Sequence, residues 1–223
     1  MERIAAPHRG APIVAAGEPL ASADAAMVML HGRGASAESI LELATVLDAD
    51  GFAYLAPQAH GGAWYPYPFL APMESNEPWL TSALEMVGEV VASIERTGIP
   101  ATRIVLLGFS QGACLALEYA ARNARRWGGV IGLSGGLIGP PGTPRDYPGA
   151  FDGTPVLLGC SDVDSHIPKA RVEESADVFR RMGADVTMRH YPGMGHTINS
   201  DEMTLARDLL RLVGTRTSAD GRP

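Results

Sequence analysis

Six short runs along the chain read as strands, most of them apolar almost without interruption, and between several of them apolar residues recur every three or four positions. The runs are "AAMVMLHG" (25–32), "FAYLAPQ" (52–58), "RIVLLGFS" (103–110), "GGVIGLSG" (128–135), "TPVLLGCS" (154–161) and "DVTMRHYP" (185–192). A strand covered on one face only would alternate apolar with polar, so most of these runs predict strands buried on both faces. Among the longer stretches, "SAESILELATVLDAD" places Ile40, Leu41, Leu43, Ala44 and Leu47 at helical spacing behind a Ser36 cap. "TSALEMVGEVVASIERTG" stops at Gly98 and "KARVEESADVFRRMGA" at Gly183, while "SDEMTLARDLLRLVG" begins with Ser200 and two acids and ends at Gly214. Alternating strands and helices predict an α/β architecture: a mostly parallel twisted sheet with helices on both faces. "GAPIVAAGEPL" (10–20) predicts an antiparallel edge hairpin, and the polar "TRTSADGRP" a frayed tail.

Composition narrows this little but excludes much. The 223 residues show no repeat and no shift in composition, which predicts a single domain over 1–213 with 214–223 as a tail. The formal charge of −7 is spread along the chain without a block of like charges. The one basic cluster, "ARNARRWGG", reads as cations near a helix C-terminus, so nucleic acid is not an expected partner. "MERIAAPHRG" lacks the apolar core of a signal peptide, and no apolar stretch has bilayer-spanning length, so a soluble, cytoplasmic chain with no membrane span is expected. Cys114 and Cys160 fall within predicted elements and read as reduced core residues. Nothing along the chain marks an association surface, and either a monomer or a homodimer fits.

Chemistry enters at "GFSQG" (108–112), a G-x-S-x-G where a predicted strand gives way to a helix. In that setting Ser110 stands on a strained turn with its hydroxyl above the sheet edge, and the Gln111 N–H at the helix start is left free. A serine nucleophile needs a histidine base held by a carboxylate, and in this kind of sheet the order along the chain is Ser, acid, His. Of six histidines, His196 alone sits in a Gly-rich loop past the last strand. Position leaves Asp162 and Asp164, both in "GCSDVDSHIP", equal as the acid. Three candidate ligands on that one short loop make a poor metal site, so neither metal nor cofactor is expected. The second oxyanion donor falls to the backbone N–H of Arg33 in "MLHGRGAS", with His31 bracing that loop and the Arg33 side chain directed at substrate or at solvent. The connections 58–80 and 135–153 have the length of functional loops. In the first, "GGAWYPYPFLAP" offers Trp64, Tyr65 and Phe69 as walls of a small apolar pocket, to which Leu137 and Met194 could add.

Taken together, "LHGRGAS", "GFSQGACLALEYA", "GCSDVDSHIP" and "YPGMGHTINSDE" resemble the bacterial phospholipase/carboxylesterase branch of the α/β-hydrolases, relatives of the acyl-protein thioesterases. The likeness runs from about residue 10 to about 213. It implies an α/β-hydrolase fold, Ser110 as nucleophile, His196 as base, and Arg33 and Gln111 as backbone donors. The family's acid stands four residues before a proline, which selects Asp164. "HGRGA" replaces the "HGLGD"-like loop of acyl-protein thioesterases, and the "WYPYPF" loop is closer to the carboxylesterase side. No segment is long enough for a large cap domain, so the expectation is a serine carboxylesterase for small-molecule esters of short to medium chain. The same triad would serve a thioesterase, and a non-catalytic binding module is the reading from another class.

Overall fold

A computed structural model describes residues 6–214. Its strands are β1 (Ile13–Gly17), β2 (Ala25–Leu30), β3 (Phe52–Pro57), β4 (Ile104–Phe109), β5 (Gly129–Leu133), β6 (Pro155–Ser161) and β7 (Asp185–Tyr191). The helices are α1 (Ala37–Leu47), α2 (Trp79–Glu95), α3 (Gln111–Arg122), α4 (Lys169–Arg181) and α5 (Ser200–Gly214), with short 3₁₀ turns between some elements. The strands form one sheet in the order β1-β3-β2-β4-β5-β6-β7, parallel throughout except for β1.

The continuous apolar runs follow from this layering. Along β2, Ala26, Val28 and Leu30 enter a core shared with α2, α3 and α4, while Ala25, Met27 and Met29 enter a second core shared with α1 and α5. Successive side chains point to opposite faces, and because both faces are covered every position must be apolar. Cys114 and Cys160 are free thiols buried in the first of these cores. Among the described residues no helix is long and apolar enough to cross a membrane.

The chain winds outward from the middle in two directions: from β2 through α1 to β3, then back across β2 through α2 to β4 and on to β7. The crossovers diverge between β2 and β4, and in open α/β sheets the crevice at the carboxyl ends of such strands is where ligands bind. "HGRG" follows β2 and Ser110 follows β4, so the topology alone places both at that crevice.

Two local expectations need correction, the hairpin at 10–20 and the end of α2 at Gly98, while α5 runs from Ser200 to Gly214 as expected and takes its cap from the residue before. The 10–20 segment is not a hairpin: it supplies the single strand β1, which pairs antiparallel with β3 from Ile13↔Pro57 to Gly17↔Ala53. Its nearest strand in sequence, β2, already has β3 and β4 on its two sides, so the free edge of β3 is where β1 can pair. Helix α5 is capped one residue before Ser200. Asn199 Oδ1 accepts the N–H groups of Asp201 and Glu202 at 2.8 and 3.0 Å, and Glu202 Oε2 accepts the Asn199 N–H at 2.9 Å. This reciprocal pair is a capping box, as is Ser36 with Ser39 at α1, where a Ser cap was expected. Helix α2 ends at Glu95, and Gly98 closes the turn beyond it with φ +95° and an N–H bonded to the Glu95 carbonyl at 3.0 Å. The predicted tail lies, beyond Gly214, outside the described residues.

Candidate active site

Between β4 and α3 the chain reverses within one residue. Ser110 has φ 55° and ψ −120°, a conformation that costs a residue with a side chain on the order of 1–3 kcal/mol. Its N–H donates to the Leu133 carbonyl at 2.9 Å, and its carbonyl accepts the Cys114 N–H at 3.0 Å. The flanking glycines allow strand and helix to close on one another: a Cβ at Gly108 would land on the Gly112 carbonyl, and one at Gly112 on the Leu30 carbonyl. The motif therefore holds a hydroxyl out of the backbone at the end of β4.

The loop after β7 brings the imidazole. The Gly193 N–H donates to Asp162 Oδ1 at 2.8 Å, and the Gly195 N–H to Ser161 Oγ at 3.1 Å, both at left-handed glycines with φ +67° and +78°. His196 stands between these anchors and the α5 cap. Its Nε2 lies 2.8 Å from Ser110 Oγ and its Nδ1 lies 2.7 Å from Asp164 Oδ2. The other carboxylate oxygen, Oδ1, accepts the N–H groups of His166 and Ile167 at 2.8 and 3.0 Å. The Asp164 side chain is fully covered, while His196 keeps 19% exposure toward the crevice. Burial raises the Asp164 carboxyl, but the hydrogen bonds from His196 and the two N–H groups outweigh it and hold it below the ordinary carboxylate range. Ionised, it fixes the proton on Nδ1 and leaves Nε2 free to accept from the Ser110 hydroxyl. The ring is also bracketed by Phe109 and by His166, centroids 5.1 and 4.8 Å away.

Of the two acids that position left equal, Asp164 meets the imidazole and Asp162 pins the loop that carries it. The competing histidines have other partners. His31 donates from Nδ1 to the Gly32 carbonyl at 2.8 Å and accepts the Ala59 N–H at Nε2 at 3.1 Å, bracing its loop as expected. His190 faces Glu173 on α4 at 3.5 Å.

Two backbone N–H groups beside Ser110, those of Arg33 and Gln111, stand without a hydrogen-bond partner among the described residues. A Cβ on Gly32 would lie 3.4 Å from the Ser110 Cβ, so the backbone entering Arg33 runs against the serine. The side chains of the same two residues hold the neighbouring loop. Gln111 accepts the Trp64 N–H at 2.9 Å and donates to the Tyr65 carbonyl at 2.8 Å. The Arg33 guanidinium donates to the carbonyls of Tyr65, Pro66 and Tyr67 at 2.7, 3.0 and 3.1 Å, a tether not among the roles weighed for it from sequence.

Beside Ser110 lies a cavity of about 500 Å³ lined by Arg33, Tyr65, Pro66, Pro68, Phe69, Ser110, Gln111, Cys114, His166, Ile167 and His196. Tyr65 and Phe69, of the five residues offered from sequence, line this cavity. Trp64 does not: it is fully buried, with its Nε1–H donating to the His31 carbonyl at 2.8 Å. Leu137 is buried under α4, where its N–H donates to Ser175 Oγ at 2.9 Å, and Met194 Sδ accepts from Asn199 Nδ2 at 2.8 Å; neither lines the cavity. The missed walls are Pro66 and Pro68, inside the aromatic loop, and His166 and Ile167, just after the acid. Cys114 also reaches the wall from the first turns of α3, its thiol pushed by burial up to about 12 and so neutral.

The α5 cap beneath this centre carries a testable charge. Glu202 is fully buried, and its Oε1 has no partner among the described residues. Burial, helped by the nearby charge of Asp201 and opposed by the Asn199 N–H, pushes its carboxyl from 4.5 up to about 7. Such a group stabilises the fold fully below about pH 4.5, and that contribution is lost as pH rises through about 7. Glu202→Gln keeps an acceptor for Asn199 without the charge. Its stability relative to the parent should therefore rise by about 2 kcal/mol between pH 5 and pH 8.5, read as a gain of roughly 5 °C in relative melting temperature. A difference that stays flat or falls over that range would contradict the assignment.

Comparison with known proteins agrees with this architecture. The family model described as phospholipase/carboxylesterase matches residues 11–213. Acyl-protein thioesterase 1 of Gibberella zeae is 35% identical over 118 residues, covering 52% of this chain and 50% of that protein, so the match spans about half the relative's length. The crystal structure of a phospholipase/carboxylesterase from Dyadobacter fermentans is 48% identical, superposes with a TM-score of 0.88, and covers 91% of this chain and 97% of that one. Acyl-protein thioesterase 2 of Zea mays, 21% identical, shares the fold with a TM-score of 0.68 over 92% of this chain and 100% of its own.

Proposed function

Because the chain belongs to the phospholipase/carboxylesterase family of α/β-hydrolases, we propose that it is a serine carboxylesterase acting on short- to medium-chain esters. The observation that carries this reading is the unbroken line from Ser110 Oγ through His196 to Asp164, with contacts of 2.8 and 2.7 Å. Ser110 Oγ attacks the acyl carbon as its proton passes to His196 Nε2, and Asp164 stabilises the imidazolium that forms. The tetrahedral oxyanion lies between the N–H groups of Arg33 and Gln111. His196 then protonates the leaving alcohol, and water, activated by the same imidazole, releases the acid from Ser110. A largely apolar cavity of about 500 Å³ suits an acyl chain of limited length.

The match to acyl-protein thioesterase 1 favours a second reading, a thioesterase, in which the same groups expel a thiolate. Initial rates on p-nitrophenyl esters from acetate to palmitate, beside thioesters of the same acyl chains, separate the two. The carboxylesterase reading expects a maximum at short or medium chains, with thioesters slower than their oxygen counterparts. Faster thioester turnover along the whole series would transfer the assignment to the second reading.

A further inference from the structure

The chain carries 25 acidic residues against 18 lysines and arginines, and two arginines with covered side chains, Arg145 and Arg171, find a carboxylate. Arg145 and Arg171 share Glu174 at 3.1 and 2.9 Å, and Arg122 meets Glu118 at 2.7 Å. Arg33 is exposed and, like Arg103 and Arg126, bonds main-chain carbonyls instead, but it does so on the wall of the cavity beside Ser110. Its three hydrogen bonds all go to main-chain carbonyls, and among the described residues it has no carboxylate partner. Those bonds occupy one N–H on Nη1 and both on Nη2. A guanidinium has five N–H donors, so the Nε–H, a second Nη1–H and the full positive charge remain.

That charge belongs to a cavity without an acid. None of the lining residues is Asp or Glu, and the nearby Asp164 is fully covered and committed to His196. The apolar walls of that cavity include Tyr65, Pro66, Pro68, Phe69 and Ile167. A purely alkyl substrate would take water from the guanidinium and give nothing in return, whereas an anion gains charge-assisted hydrogen bonds in an apolar setting. The three carbonyls already hold the side chain in place, so little rotamer freedom is left to lose when a ligand arrives. A single positive charge is balanced by a carboxylate, while a phosphate dianion would leave one negative charge unanswered.

We propose that the site selects esters that bear a free carboxylate in addition to the scissile bond, with the Arg33 guanidinium as the specificity-determining group that receives it. This rests on the ester-hydrolase reading above and names the substrate class within it. The carboxylate can belong to the acid or to the alcohol half of the substrate, and two matched pairs distinguish these. Monoethyl succinate against ethyl 4-methylpentanoate tests the acid half; butanoyloxyacetate against isobutyl butyrate tests the alcohol half.

Hydrolysis is followed by titration of released acid at pH 8, from about 0.01 M to about 1 M salt, a range over which the screening length falls from about 30 to about 3 Å. In at least one pair kcat/KM should favour the anionic ester by about tenfold at low salt, with the ratio shrinking as salt rises. Arg33→Gln should bring the ratio close to one, and Arg33→Lys should restore part of it. The readout is a ratio, so a general loss of activity from a loosened 65–67 loop does not move it. Neutral esters favoured in both pairs, or a preference that Arg33→Gln leaves intact, overturns the inference and leaves the esterase reading standing. If neither member of any pair is hydrolysed, the esterase reading itself fails, and this inference with it.

Discussion

Ser110→Ala is expected to lower kcat on a p-nitrophenyl ester by about 10⁵-fold or more while leaving the fold intact. The Ser110 hydroxyl has one side-chain contact, His196 Nε2 at 2.8 Å, and makes no capping bond to α3. Its removal takes away the atom that would form the acyl-enzyme without opening a core cavity or stranding a buried donor. Alanine keeps the Cβ that already tolerates φ 55° at this turn, so the backbone geometry is undisturbed. The Arg33 and Gln111 N–H groups remain in place and would sustain a residual rate above that in water. Steady-state rates and a thermal melt on the same preparation make the check. A variant with an unchanged melt and more than about a hundredth of the parental rate would remove Ser110 from the chemistry.

Asp164→Asn should cost about 10⁴-fold in kcat, by a different route. The carboxylate has two tasks on its two oxygens: Oδ1 accepts the N–H groups of His166 and Ile167, and Oδ2 meets His196 Nδ1. An asparagine oxygen can keep the first task. Its amide N–H₂ then faces Nδ1, which must give up its proton and become an acceptor, so the ring proton moves to Nε2. An Nε2–H cannot take the Ser110 proton, and the imidazole is left well placed in the wrong tautomer. Asp162→Asn is the internal comparison. Asp162 is two residues away on the same loop and accepts one N–H, that of Gly193, a task an amide oxygen can also perform. Its effect should stay within about tenfold. Comparable losses at both positions would mean that loop integrity, rather than the charge at Asp164, sets the rate.

How much of this was legible in the chain depended on whether local pattern or three-dimensional neighbourhood decides a residue's place. The strands β2 to β6 were readable because both sheet faces are covered, which forces continuous apolar runs such as Ala25–Leu30, whereas the edge strand β7 is partly exposed and mixed in composition. β1 was misread as half of a hairpin because its partner is chosen by which sheet edge is free, a property of the whole sheet. Ser110 and His196 announced themselves through glycines, which mark backbone that must turn sharply or approach closely. Spacing could not separate Asp162 from Asp164, since both lie on the loop after β6 and both accept hydrogen bonds; the family resemblance selected Asp164. The pocket was least legible. Trp64 and Tyr65 are neighbours, equally aromatic and equally buried, yet one anchors the His31 loop through its indole and the other faces the cavity. Which way each ring turns is fixed by Gln111 and Arg33 gripping the main chain around them, contacts made across 32 or more positions of sequence.

The wide spacing of the centre along the chain has a consequence for how the protein comes into being. Ser110 and His196 are 86 positions apart, and His196 and Asp164 are 32 apart. The serine stands at the end of a central strand, and the imidazole follows the strand that closes the far edge of the sheet. As the polypeptide emerges during synthesis, helices and the inner strands can assemble while Ser110 still lacks the imidazole that it meets in the finished sheet. Contacts across such long loops are the slow ones in chain collapse, because loop-closure entropy must be overcome before they form. The line from Ser110 through His196 to Asp164 is thus among the last contacts the molecule acquires, and under the mechanism proposed above an immature chain would have a serine without its base.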